Sequence, residues 1–267
     1  MAEQPQTWHY GLIARYWAEF NDDFRPHEIP YFQRFIEADG QPALDVACGT
    51  GRLLLPYLRA GLDVDGCDVS ADMIALCREK AEREGYAPSL SVQPMHELEL
   101  PRRYRCIYVC GAFGLGSSRD QDVEALRRFH DHLVPGGTLL LDAEVPYADA
   151  WLWKYWLKTE RASLPGPMPE AKERRPASDG AEYALTSRVL DVDPLAQRSS
   201  LEMRAELWRD GRLEAEETRR IDLHHYFVDE LRMMVEAAGF AEVVVHGDHV
   251  EAPPTPDDDF VVLVATK

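Results

Sequence analysis

The chain has 267 residues and carries 47 acidic against 29 basic side chains, a net charge of −18. Hydrophobic residues make up 45% of it, enough to bury a full core, so a disordered chain is excluded. The length suits one large α/β domain with an insertion. The negative charge repels nucleic-acid phosphates and anionic membrane surfaces, so we expect neither as a partner.

The N-terminus has no basic segment followed by an apolar run, and no apolar stretch approaches membrane-spanning length. We therefore expect a cytoplasmic protein. The five cysteines are odd in number and form no CxxC pair, which disfavours a disulfide framework or a metal site. Three of them lie in or beside expected strands, where free cysteine packs as a small hydrophobe. They are Cys48, Cys67, Cys77, Cys106 and Cys110.

Helices and strands alternate through the first half of the chain. Two amphipathic helices are expected within residues 8–38, divided near residues 24–26. Short apolar strands follow, separated by helical segments, and one of these helices has Ser70 as a candidate N-cap. The strands are expected at 43–47, 62–68, 89–92, 106–110 and 138–142, and the helices at 52–58, 71–83 and 120–133. Because the strands are nearly all apolar, they predict a parallel sheet covered on both faces.

The alternation stops after residue 147. Residues 148–180 are rich in tryptophan and then in proline and charge, and residues 181–227 alternate polar with apolar side chains. With Asp210-Gly211 as a hairpin turn, this pattern predicts about three half-exposed antiparallel strands. A helix at 228–238, ended by Gly239, and strands at 243–245 and 260–264 then resume the α/β pattern.

These elements predict an α/β fold with a doubly wound, mostly parallel sheet and an inserted antiparallel β lid. We assign residues 1–42 to an N-terminal helical cap and 43–147 to a Rossmann-like core that binds the cofactor. Residues 148–225 form the lid, and 226–267 return to the core.

The segment most informative about function is residues 44–51, LDVACGTG, where a strand runs into a glycine turn and a helix follows. Gly49 and Gly51 allow a tight turn and a close approach to a ligand, at the strand end where open parallel sheets bind ligands. A dinucleotide fingerprint would need a third glycine, but that position holds Leu54. The acidic Asp45 just upstream also disfavours a pyrophosphate.

Four motifs in this order resemble the class I S-adenosylmethionine-dependent methyltransferases of small-molecule type. Asp45 precedes the GxG turn, and residues 66–73, GCDVSADM, match the family pattern D-x-S-x-x-M. Residues 133–140, LVPGGTLL, and 236–240, EAAGF, match the L-x-P-G-G-x-L hairpin and the segment before strand six. The resemblance implies a seven-stranded sheet, S-adenosylmethionine as cofactor, and Asp68 as the acid that holds the ribose hydroxyls.

The resemblance also implies cofactor contacts from the N-terminal helix and from the ends of strands one to four. The candidates are Arg15, Tyr16, Asp45, Ala47, Cys48, Gly49, Gly51, Asp68, Val69, Met73, Met95, His96, Glu97, Cys110, Gly111 and Phe113. Two positions depart from the family pattern. Pro94 stands where an acid often binds the adenine amino group, and Arg105 stands where an aspartate usually precedes strand four.

We expect methyl transfer to nitrogen or oxygen of a small-molecule acceptor, with no metal and with no general base identified. His224 and His225 end the inserted sheet on opposite faces, so at most one should point into the cleft. The tryptophan-rich stretch either walls an acceptor pocket or forms the core of the lid. The alternatives are a catalytically silent cofactor-binding regulator, an NAD-dependent oxidoreductase, and an RNA or protein methyltransferase. A homodimer is compatible with the sequence.

Overall fold

The computed structural model describes residues 7–22, 24–171 and 173–267. Residues 1–6, part of the expected helical cap, lie outside the described residues. The helices are α1 (Gly11–Phe20), α2 (Glu28–Asp39), α3 (Leu54–Arg59), α4 (Ala71–Arg83), α5 (Arg119–His132), α6 (Ala150–Trp153), α7 (Lys158–Arg161) and α8 (Val228–Ala237). The strands are β1 (Ala43–Val46), β2 (Val64–Asp68), β3 (Leu90–Val92), β4 (Tyr104–Val109), β5 (Leu133–Glu144), β6 (Arg175–Pro176), β7 (Glu182–Asp193), β8 (Arg198–Arg209), β9 (Arg212–His224), β10 (Ala241–Gly247) and β11 (Phe260–Thr266).

Seven strands form one sheet in the order β10-β11-β5-β4-β1-β2-β3. The pairs β1–β2, β1–β4, β2–β3 and β4–β5 are parallel, whereas β11 runs antiparallel to both β5 and β10. The predicted α/β fold with a mostly parallel seven-stranded sheet is therefore confirmed. The carboxyl ends of β1, β2, β4 and β5 meet along one edge, where a ligand site is expected.

Burial on both faces explains why these strands are almost wholly apolar. In β4, Ile107 and Val109 pack into a core with α5 and α8, while Cys106 and Tyr108 pack into a second core with α2, α3 and α4. All four side chains are fully buried. A strand in this position has no polar face, so its hydrophobic pattern is continuous rather than alternating.

The helix after β2 starts where the sequence places its cap. Ser70 lies in extended conformation, and its hydroxyl accepts a hydrogen bond from the Met73 N–H at 3.2 Å. The helix after β4 starts at a capping box formed by Ser118 and Gln121. Both caps satisfy backbone N–H groups that the first turn leaves free, and so they fix where the chain leaves the sheet edge.

The inserted sheet has four strands in the order β6-β7-β8-β9, which adds the short edge strand β6 to the expected three. Its apolar face packs on Leu12 and Ile13 of α1. Glu202 belongs to the expected exposed face but is buried, because Arg188 and Arg220 pair with its two oxygens. The alternating side chains on the α1 side are Leu201, Met203, Ala205 and Leu207.

The two N-terminal helices pack on different parts of the molecule. Helix α1 and the preceding Trp8 pack into the core of the inserted sheet, while α2 contributes Phe32 and Ile36 to the parallel-sheet core. The assignment of residues 1–42 to one cap, like the other domain boundaries, stays a prediction. In the part of the chain that the structure describes, no helix is long and apolar enough to cross a membrane.

Candidate active site

A cavity of about 510 Å³ lies at the carboxyl ends of the parallel strands. Its floor is the loop after β1 and the ends of β2, β4 and β5. One wall comes from residues 7–21 and 24–28, and another from residues 223–226 at the end of β9. Three segments that are distant in sequence therefore enclose one space.

The loop after β1 faces this cavity through Gly49. Its φ is 55°, a left-handed conformation, and a side chain added there would meet nothing within 4 Å. Gly51 differs, because an added Cβ would lie 3.0 Å from the Cys77 sulfur and from a Leu55 carbon. Gly49 leaves room for a ligand, whereas Gly51 lets the loop pack on α3 and α4.

Asp68 ends β2 and is 7% exposed. Its carboxylate accepts the N–H of Gly49 at 2.9 Å and the N–H of Ser70 at 2.8 Å. Burial raises the pKa of Asp68 to about 6, although these backbone N–H donors oppose the shift. Each carboxylate oxygen still has a lone pair for a ligand hydroxyl.

Asp45 lies in β1 beneath the same loop and is also buried. Burial raises the pKa of Asp45 to about 8, so this carboxyl is largely protonated at neutral pH. A protonated carboxyl is a hydrogen-bond donor rather than a fixed charge.

Most of the predicted contact residues come together on the cavity wall. Those that line it are Asp45, Ala47, Cys48, Gly49, Asp68, Val69, Met73, Met95, Cys110, Gly111 and Phe113.

Five predicted residues do not line the cavity, so their contact with the cofactor stays a prediction: Arg15, Tyr16, Gly51, His96 and Glu97. Arg15 is exposed, and the ring of Tyr16 packs on Phe20. The His96 ring bonds the Gln121 amide at 3.0 Å, and the Glu97 side chain is 70% exposed. Helix α1 instead turns Trp17 toward the cavity.

Sequence reasoning missed the residues that precede α1. The Trp8 indole donates to His9 at 3.1 Å, the His9 carbonyl accepts the Ser70 hydroxyl, and the Tyr10 hydroxyl donates to the Val69 carbonyl at 3.3 Å. Burial lowers the pKa of His9 to about 4, so its ring is neutral. The segment is thereby fastened over the end of β2. No local motif signals this, because the partners lie about sixty positions away.

His224 and His225 both line the cavity, and the His225 ring bonds the Ser199 hydroxyl at 2.6 Å, so the expectation that at most one ring points into the cleft stays a prediction. Strand β9 ends at His224, so the alternation of faces does not extend to His225. The His224 N–H donates to the Gly114 carbonyl at 2.9 Å, which ties the end of the inserted sheet to the loop after β4.

Several buried polar atoms on the cavity wall have no hydrogen-bond partner. Such atoms are costly unless a ligand or water satisfies them, so the wall suits a polar ligand. They are Trp17 Nε1, Asn21 Oδ1, Glu28 Oε1, Thr50 Oγ1, Asp142 Oδ1 and His224 Nδ1. Together with the open space at Gly49 and the buried carboxylate of Asp68, they fit a nucleoside with an amino-acid tail.

Residues 43–137 match a family described as a methyltransferase domain. A protein of Geobacillus sp. (strain WCH70), named as a candidate methyltransferase, is 25% identical over 258 residues, which is 90% of this chain and 94% of that protein. The match decides against the dinucleotide-binding alternative, in agreement with Leu54 at the third glycine position.

Two solved structures share the fold over nearly the whole chain. An S-adenosylmethionine-dependent methyltransferase from Clostridium acetobutylicum ATCC 824 has a TM-score of 0.71 and 14% identity, covering 95% of this chain and 96% of its own. A sugar N-methyltransferase from Streptoalloteichus sp. ATCC 53650 has a TM-score of 0.69 and 20% identity, covering 100% and 98%. Residues 43–137 therefore form a methyltransferase domain, and the strand order and the loop after β1 give the chain the fold of the class I S-adenosylmethionine-dependent methyltransferases.

Proposed function

We propose that the protein transfers the methyl group of S-adenosylmethionine to an amine nitrogen of a small molecule. The cavity has the size of small-molecule sites, and the inserted sheet encloses it on one side. A similar solved structure is named a sugar N-methyltransferase, which supports the same class of acceptor.

The β1–β2 side of the cavity would hold the nucleoside. The Asp68 carboxylate would accept the two ribose hydroxyls, and Gly49 leaves the space in which the sugar approaches the backbone. Met73 and Met95 offer apolar, polarisable side chains to the adenine ring. Position 94 holds proline rather than an acidic residue that could bond the adenine amino group, so adenine recognition would rest mainly on packing.

The β5 side would hold the acceptor. Strand β5 lies three positions from β2 in the sheet, or roughly 14 Å at the usual strand spacing. The carboxylates of Asp142, Glu144 and Asp149 line this side of the cavity, and Arg25 pairs with Glu144 at 3.8 Å. The carboxylates that remain in excess would concentrate cationic amines over neutral alcohols, and this excess is the observation that favours nitrogen as the methylated atom.

His224 is the residue best placed to take a proton from the acceptor. Its side chain is 10% exposed, its Nδ1 has no hydrogen-bond partner, and Nδ1 lies 4.0 Å from an Asp122 oxygen. Asp122 is held by the hydroxyls of Ser117 and Tyr226. A protonated amine has no lone pair for attack, so an imidazole that takes this proton, with the Asp122 carboxylate beside it, would assist the transfer.

The sulfonium of the bound cofactor supplies a methyl group that is already activated toward nucleophiles. The protein's own task is then to align the acceptor nitrogen and exclude water. In ideal model systems alignment lowers a barrier by about 7–11 kcal/mol. Here the walls formed by residues 7–21, 24–28 and 223–226 would provide this confinement.

Paired acceptors test the proposal. The purified protein would be incubated with S-adenosylmethionine and either an amino sugar or the same sugar with a hydroxyl in place of the amine. S-adenosylhomocysteine release and the product mass report on transfer. We expect methylation of the amine only. Methylation of the hydroxyl sugar alone would contradict the proposed acceptor, while the family assignment would stand.

A further inference from the structure

Four side chains with metal-binding atoms meet beside the cavity, between α2, the ends of β4 and β5, and the turn after β10. Their candidate ligand atoms all lie within 4.8 Å of one another. Three of the residues are buried and one is half-buried. They are Glu28, Cys110, Asp142 and His249.

The distances between these atoms are those of a coordination shell. The Cys110 sulfur is 3.3 Å from Glu28 Oε2 and 3.4 Å from Asp142 Oδ2. His249 Nε2 is 3.5 Å from Asp142 Oδ1. Sulfur, nitrogen and oxygen ligands around a tetrahedral Zn²⁺ stand about 3.3–3.6 Å apart, given ordinary metal–ligand bond lengths.

His249 points independently to a ligand. It is 7% exposed, and neither of its ring nitrogens has a hydrogen-bond partner. The rings of Tyr31, Phe32 and Phe260 lie 5.4, 5.8 and 5.9 Å from its imidazole centre. A buried imidazole with no partner is costly, and a metal ion at Nε2 would remove that cost.

The backbone holds this imidazole in place by an uncommon conformation. Asp248 and His249 both have positive φ, 41° and 57°. The Asp248 carboxylate accepts the N–H of Asp259 at 3.0 Å and that of Phe260 at 2.9 Å, which fixes the turn. Two consecutive left-handed non-glycine residues cost energy, and such strain is concentrated at functional sites.

The charges around the four side chains balance once a divalent cation is present. Two carboxylates and the Cys110 thiolate would carry three negative charges, and Arg52, which contacts Glu28 at 2.5 Å, carries one positive charge. Arg25 lies 3.7 Å from Glu28 but also pairs with Glu144 at 3.8 Å, so the Arg25–Glu144 pair adds no net charge. A dication supplies the remaining two positive charges.

We propose that Cys110, Asp142 and His249, with Glu28 as the fourth ligand, bind one divalent transition-metal ion of the Zn²⁺ type. A cysteine and a histidine among the ligands select against Mg²⁺ and Ca²⁺, which prefer oxygen. This site departs from the expectation that no metal is bound. It shares Asp142 with the carboxylates proposed to attract the acceptor, of which Glu144 and Asp149 would remain free of the metal, and it does not rest on the identity of that acceptor.

Cobalt titration tests the site directly. The wild-type protein would be stripped with EDTA and titrated with CoCl₂. We expect one equivalent of cobalt to give the visible absorption of a tetrahedral ion and a thiolate charge-transfer band, both displaced by ZnCl₂. No such spectrum, or a spectrum of hexa-aqua cobalt only, would overturn the proposal.

Two pairs of variants locate the ligands. Cys110→Ser should abolish the charge-transfer band, and His249→Ala should weaken cobalt binding at least tenfold. The matched controls Cys77→Ala and His246→Ala should bind as wild type, because Cys77 packs in the core and His246 bonds the Tyr31 hydroxyl. Equal loss in the controls, or none in the ligand variants, would contradict the assignment. Circular dichroism verifies folding, and the wild-type titration decides if a variant does not fold.

The readout needs neither cofactor nor acceptor. Calorimetry measures the binding of S-adenosylhomocysteine to the EDTA-treated protein separately, so a failure of the metal site can be told from a failure of cofactor binding. A protein that methylates amines but binds no cobalt would refute only the metal site.

Discussion

At the β1–β2 end of the cavity, where we place the cofactor, most of the lining residues come from one stretch of chain, from Asp45 to Met73, and only the segment before α1 and Met95 come from elsewhere. At the β5 end the lining residues come from α2, from residues 142–149 and from the end of β9, which are far apart in sequence. The first set is fixed by a strand, a turn and a capped helix. The second depends on long-range packing, so it is the end at which acceptor specificity can change while cofactor binding is kept.

Shortening the inserted sheet should have the largest effect and separate the two ends. Replacing residues 181–222 by a short linker removes the segment that carries residues 223–226 against Gly114, so we expect acceptor methylation to be lost. Binding of S-adenosylhomocysteine should fall about tenfold or less, because Asp68 and Gly49 remain. Product formation measures acceptor methylation, and calorimetry measures the binding of S-adenosylhomocysteine. Loss of cofactor binding in a folded variant would place the inserted sheet in the cofactor site.

Asp68→Ala should have the second-largest effect, and it should weaken cofactor binding without changing the acceptor side of the cavity. Two hydrogen bonds from ribose hydroxyls to a charged acceptor are worth roughly 1.5–3 kcal/mol each, so the dissociation constant should rise by about 100-fold or more. Calorimetry with S-adenosylhomocysteine measures it. Asp63→Ala is the control, because Asp63 lies just before β2 and pairs with Arg102 at the surface. An unchanged dissociation constant would remove Asp68 from the site.

His224→Gln should act on the acceptor end and leave cofactor affinity unchanged. We expect kcat to fall about 10- to 100-fold near neutral pH and to recover as the pH rises, since the amine then loses its proton to solvent. His27→Gln, with an exposed side chain on the helical cap, is the control. A uniform decrease at every pH would indicate positioning rather than proton transfer.

Asp45→Asn should have the smallest effect. Because burial raises the pKa of Asp45 to about 8, the folded protein keeps a proton that the unfolded chain has lost, and stability declines as the pH rises from about 4 to about 8. Asparagine cannot ionise, so the variant should melt above wild type near pH 8, by about 2–4 °C for each kcal/mol of the ionisation cost, and close to wild type near pH 4. Calorimetric melting at both pH values checks this. A difference that is the same at both would exclude ionisation of Asp45.

The sequence predicted the backbone geometry of the edge between β1 and β2, because that geometry is set by residues close together in the chain. Asp68, Ser70 and Met73 follow one another along a strand end and a helix cap, and the structure places them as the motif implies. The strand order follows for the same reason. Nearly continuous apolar strands that alternate with helices have few other ways to be buried.

The residues on the acceptor side of the cavity were harder to predict from the sequence, because the rotation of α1 and contacts between distant segments determine which side chains line it. Arg15, Tyr16 and Trp17 are consecutive, so each points about 100° from the next around α1, and packing against β8 determines that Trp17 faces the cavity. Strand β9 ends at His224, so the alternation of side chains along β9 does not extend to His225 and does not predict its orientation. Glu28 and His249 belong to no motif with Cys110 and come together only through the fold.

A crystal structure with S-adenosylhomocysteine tests the cofactor placement most directly. We expect the ribose hydroxyls on the Asp68 carboxylate, the sugar beside Gly49, and the sulfur directed toward β4 and β5. Electron density for the nucleoside elsewhere, with the edge between β1 and β2 empty, would contradict this placement.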